Sequence, residues 1–83
     1  MAGIEKILLR MAISPSGIRF DELLKVCRRY FGEPRIRGSH HVFKAPGSRP
    51  PVVDIQPDGS FAKTYQVKQV LAAIRDILGR DTK

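Results

Sequence analysis

The spacing of apolar residues changes at Glu33 from the period of a helix to that of a strand, and it changes back near Thr64. A chain of this length that switches period twice is limited to helices packed on a small sheet. Before the switch, Phe20, Leu23, Leu24, Cys27 and Phe31 share one helical face, with Lys25, Arg28 and Arg29 on the others. Asp21 and Glu22 at the start and the arginines near the end suit the helix dipole, and Gly32 is the natural stop. Ahead of it, Ile4, Ile7, Leu8 and Met11 mark a short amphipathic helix over about 2–12, broken by Ser14-Pro15-Ser16-Gly17.

After the switch, Pro34-Arg35-Ile36-Arg37 alternates and ends at the turn pair Gly38-Ser39. His40 to Ala45 is a second strand, closed by Pro46-Gly47-Ser48. Pro50-Pro51 introduces a third, Val52–Ile55, which ends at Pro57-Asp58-Gly59. Short strands joined by tight turns favour an antiparallel meander. Val67, Val70, Leu71, Ile74, Ile77 and Leu78 then form a stripe that predicts a helix over about 64–78, capped by Gly79. Gln66, Lys68, Gln69 and Arg75 fall off that stripe. The order helix, helix, three strands, helix predicts an α+β two-layer sandwich. Helices cover one face of a three-stranded antiparallel sheet and leave the other face open, in a single domain over residues 1–83.

Charge bears on what the open face meets. The formal net charge is +7, and it is unevenly spread. From Pro34 to Arg75 there are seven cations (Arg35, Arg37, Lys44, Arg49, Lys63, Lys68, Arg75) against two acids, Asp54 and Asp58, so half the chain holds most of the excess. A cationic field of this kind concentrates polyanions at a surface, although many small proteins carry basic faces only for solubility. No apolar run approaches the roughly 20 residues of a membrane span. The first ten residues carry charge within a helical pattern, unlike a secretory signal, so the expected location is cytoplasmic and no membrane partner is expected.

Few residues offer chemistry. Cys27, the single cysteine, lies on an apolar helical face and reads as a buried structural thiol. No metal-ligand cluster, glycine-rich phosphate loop or cofactor motif is present, and the serines at 14, 16, 39, 48 and 60 read as turn residues. Asp54, a lone acid among valines, reads as a solvated outward residue. Tyr65, Gln66 and Lys68 lie where a helix N-terminus favours phosphate.

His40 and His41 are both of the protein's histidines, and histidine suits proton transfer near neutral pH. Adjacent strand residues point to opposite faces. Phe43 is the bulkiest apolar residue of the strand, so it and His41 are expected inward, with His40 and Lys44 on the open face. Val42 counts against that assignment, because it too would be exposed. Two neighbours on opposite faces do not readily share a metal ion, and an exposed His-His pair alone commonly has no role.

Residues from about Phe20 to Ile77 resemble the HicA family of toxin–antitoxin ribonucleases. The likeness rests on Arg37-Gly38-Ser39-His40-His41-Val42-Phe43, which holds the family's G-S-H signature. The Gln66-Val67-Lys68-Gln69-Val70 run also resembles the closing helix of one family branch. It implies a double-stranded-RNA-binding-domain-like fold, cleavage of mRNA without a metal or other cofactor, and inhibition by a HicB-type antitoxin protein that occludes the catalytic histidine. That histidine maps onto His40 by the G-S-H spacing, or onto His41 where members read G-S-x-H. Arg35, Arg37, Ser39, Lys44, Lys63 and Lys68 are the expected RNA contacts. The rival is a non-catalytic RNA-binding module whose basic face only grips the backbone. The helix over Ile4 to Met11 lies ahead of the family core, and the segments Ala45–Pro51 and Gln56–Lys63 also depart from its shortest members.

Overall fold

The computed structural model describes residues 3–48 and 51–81, with the side chains of 80 and 81 left aside, so Arg49 and Pro50 lie outside the described residues. Three helices, α1 (Ile4–Ile13), α2 (Phe20–Phe31) and α3 (Thr64–Asp81), accompany a sheet of β1 (Arg35–Arg37), β2 (His40–Lys44) and β3 (Val52–Ile55). The sheet has the order β1-β2-β3 and both pairings are antiparallel. This is the expected α+β sandwich.

Burial of the helical stripes decides the layering. Helices α2 and α3 lie against one face of the sheet, and α1 packs on both of them. Their inner residues, Ile7 and Met11 from α1, Leu23, Val26 and Cys27 from α2, and Val67, Val70 and Ile74 from α3, meet Phe43, Val53 and Ile55 of the sheet in one core. Phe43 is fully buried and stacks obliquely on Phe31, ring centres 6.2 Å apart. Burial also pushes the Cys27 thiol well above its ordinary pKa, which suits a packing role and not a thiolate nucleophile.

Two glycines set the local geometry of the chain's reversals. Gly32 ends α2 with φ at +89°, its N–H donating to the Arg28 carbonyl at 3.1 Å. In the two-residue link from β1 to β2, Gly38 has φ at +59° and Ser39 does not have a positive φ, the pattern of a type II′ hairpin turn with glycine first.

Three details differ from expectation. Helix α3 runs through Gly79 to Asp81 instead of stopping at 78, because Gly79 takes no left-handed φ and glycine is tolerated near a helix end. Ser14 to Gly17 is not only a break: Pro15–Gly17 form a 3₁₀ turn that leads to α2. Pro57-Asp58-Gly59 does not simply end β3. Pro57–Asp58 (β4) and Phe61–Ala62 (β5) form a small hairpin around Gly59-Ser60, with Gly59 at φ +63°. The hairpin docks on the entry to α2, where the Phe20 N–H donates to the Ser60 carbonyl at 3.0 Å and the Ala62 N–H to the Ile18 carbonyl at 2.9 Å. Two-residue strands opened by a proline carry almost no periodic signal.

Candidate active site

Alternation along β2 puts His40, Val42 and Lys44 on the open face and His41 and Phe43 on the covered one. Pairing then adds neighbours from both sides. Arg37 stands opposite His40, while Arg35 and Asp54 flank Val42 from β1 and β3, and Val52 stands opposite Lys44. The open face therefore carries Arg35, Arg37, His40, Lys44 and Asp54 around Val42. Val42 is half-buried because its neighbours across both pairings shield it, which accounts for an apolar residue on this side.

His40 and Asp54 make the closest polar contact on the face. The His40 Nδ1 lies 3.0 Å from Asp54 Oδ1 and 3.1 Å from Oδ2, on a diagonal between β2 and β3. A carboxylate only accepts, so Nδ1 donates and the neutral ring's acceptor is Nε2. Both side chains are about half exposed (47% and 46%), which leaves the imidazole open to a ligand. Reading Asp54 as a merely solvated acid is thus corrected. Its partner lies 14 residues away, and only the strand register brings the two together.

His41 has different surroundings. Its ring meets Phe20 of α2 edge-on, with centroids 5.1 Å apart and planes at 66°. Its Nδ1 donates to the Ser39 carbonyl at 3.2 Å. This histidine fills the space between the sheet and α2.

Among the expected RNA contacts, Arg35, Arg37 and Lys44 share the His40 face, are exposed, and have no ion-pair partner among the described residues. Ser39 is exposed in the turn beside His40. Lys63 and Lys68 are not part of this cluster. They lie just before and within α3, in the helical layer behind the sheet. Gln66 is also corrected, both as a phosphate contact and as a residue off the buried stripe. It is 4% exposed, its Oε1 accepts the Gln56 N–H at 2.9 Å, and its Nε2 donates to the Tyr65 hydroxyl at 3.4 Å. An amide in that place satisfies the backbone donor just past the end of β3.

Beyond Val42, the open face continues into a shallow groove lined by Phe31, Glu33, Pro34, Arg35, Val42 and Lys44. Among the described residues no three His, Cys, Asp or Glu side chains converge as metal ligands would, so the histidine–aspartate pair stands without a third ligand. No helix among the described residues is long and apolar enough to cross a membrane. The chain matches no protein-family model, no curated protein and no solved structure.

Proposed function

We propose that the chain is a metal-independent endoribonuclease that cleaves mRNA, the toxin of a HicA-type toxin–antitoxin pair. The observation that carries this reading is the His40–Asp54 contact on an open sheet face, between cations that have no ion-pair partner among the described residues. The helix, three-stranded meander and helix are in the order expected of a double-stranded-RNA-binding-domain-like core, and Gly38-Ser39-His40 supplies the signature stretch. The turn gives that stretch a physical meaning. Glycine takes the positive φ, serine completes the reversal, and the histidine becomes the first residue of the central strand.

The mechanism follows from Nε2, the acceptor nitrogen in the tautomer that Asp54 selects. It takes the proton from a ribose 2′-hydroxyl as that oxygen attacks the adjacent phosphorus. The bond to the 5′ oxygen breaks, the departing oxygen receives the proton from the imidazolium, and the products are a 2′,3′-cyclic phosphate and a 5′-hydroxyl. Asp54 holds the ring in the productive tautomer and offsets the imidazolium charge. Proton transfer of this type contributes about 10²–10⁴-fold. Arg37, opposite His40, balances the charge that builds on the phosphorane oxygens, while Arg35 and Lys44, further along the face, meet the flanking phosphates. A HicB-type antitoxin would silence the enzyme by covering the same face.

The test is to induce the wild type, His40→Ala and His41→Ala in cells, follow growth and mRNA integrity, and assay the purified proteins on RNA. Wild type and His41→Ala arrest growth and cut RNA, whereas His40→Ala folds and does neither. Intact RNA with soluble, folded wild-type protein overturns the enzyme and leaves a non-catalytic RNA-binding module.

A further inference from the structure

We infer that the groove beyond Val42 is a nucleobase subsite, which holds one base of single-stranded RNA beside the linkage placed at His40. The inference rests on the ribonuclease reading and specifies how that site grips its substrate.

Three of the groove's lining residues are apolar and half-buried: Phe31 at the end of α2, Pro34 in the link to β1, and Val42 on β2. Its two cations, Arg35 and Lys44, are exposed and have no ion-pair partner among the described residues. Apolar and aromatic lining residues next to these cations suit a base packed on the former while its phosphates meet the charges. Glu33 argues for the base over a second phosphate. Its carboxylate lies in the lining and disfavours an anion there, while Arg28, 3.5 Å away, offsets its charge.

Position ties the groove to the histidine. Val42 follows His40 on the same face of β2, about 7 Å along the strand, and Lys44 follows by the same step. A strand of RNA whose scissile phosphate lies at His40 reaches the groove with the neighbouring nucleotide. A double helix keeps its bases stacked inside, so the subsite selects single-stranded or looped RNA.

The test uses fluorescent oligonucleotides with one ribonucleotide in an otherwise deoxy strand, which fixes the cleavable linkage. Bases on either side are removed one at a time, and both Kd and cleavage are measured. In the wild type, removing one base next to the linkage weakens binding by roughly tenfold, the size of a lost base–aromatic stack, and removing more distant bases does not. In Phe31→Leu, which retains an apolar core contact, and in Pro34→Ala, which retains the fold, that penalty shrinks towards none.

Equal affinity for every abasic oligonucleotide in the wild type overturns the subsite even if the protein cleaves. A penalty that persists undiminished in both variants overturns it as well. Base-dependent binding without cleavage of any oligonucleotide supports the groove and overturns the ribonuclease reading instead.

Discussion

Two adjacent histidines with one shared backbone acquire opposite surroundings, and substitution tells them apart. His40 faces solvent with its Nδ1 on Asp54, so Asp54→Asn leaves the ring in place and removes the charge that fixes its tautomer. If the proposed ribonuclease reading holds, the expected outcome is a fall in kcat of about tenfold or more with KM unchanged, a share of the roughly 10²–10⁴-fold such catalysis supplies. Steady-state kinetics on a short RNA reads the split. ¹⁵N spectra of the imidazole read the tautomer directly, and a merely structural Asp54 would leave them unmoved. His41→Ala has the reverse profile. It loses the edge-on contact with Phe20 and costs about 1 kcal/mol of stability, measured by urea unfolding, while kcat stays at the wild-type level.

At the scale of elements, α1 is joined to α2 by a charged clamp as well as by its apolar stripe. Arg10 pairs with Glu22 and also donates to the Gly17 carbonyl at 3.2 Å, while Glu22 accepts the Arg19 N–H at 3.1 Å. Burial works to raise the Glu22 pKa, but the Arg10 hydrogen bond, the Arg19 N–H and the charges of both arginines outweigh it and hold the carboxyl below its ordinary value. A lowered folded-state pKa stabilises the fold above the unfolded value of 4.5, and that stability is lost as pH falls through the folded value. Glu22→Gln is therefore less stable than the wild type at neutral pH, and the gap closes as the pH falls through the lowered folded-state value of the Glu22 carboxyl. Thermal melts at neutral pH and in acid check it, and a gap independent of pH would exclude the carboxylate as its source. The clamp and the buried Ile7 and Met11 make α1 part of the same packing unit as α2 and α3.

For the molecule as a whole, one core and one open face divide the work. The radius of gyration, 11.9 Å, is that of a single packed unit of this length, about 12 Å. Helices cover one side of the sheet, so the cations of β1 and β2 collect on the other. If those cations meet phosphate, RNA affinity falls steeply with salt. Replacing Arg35, Arg37 or Lys44 with Ala reduces the log–log salt slope by about 0.7 each for single-stranded RNA. Lys63→Ala and Lys68→Ala leave the slope of a short oligonucleotide unchanged, because both lie in the helical layer. Affinity titrations at several salt concentrations measure this. Equal effects from all five lysine and arginine substitutions would show a diffuse field in place of a defined face.

The sequence by itself determined the three long helices and the three strands of the main sheet, and through them the face on which each of those strand residues lies. Periodicity marked all three long helices, Gly32 and Gly38-Ser39 marked the reversals, and alternation from Phe43 placed His40 outward and His41 inward. These are local properties: a period or a positive φ is written within a few residues. Tertiary structure alone decided who stands beside whom. Asp54 comes to His40 through the β2–β3 register, Lys63 and Lys68 go behind the sheet with α3, and Gln66 turns inward to the Gln56 N–H. The β4–β5 hairpin forms because it has the entry of α2 to pair with. Each of these depends on pairing and packing between segments far apart in the chain, where the free energy of the whole core, not the preference of any one segment, selects the partners.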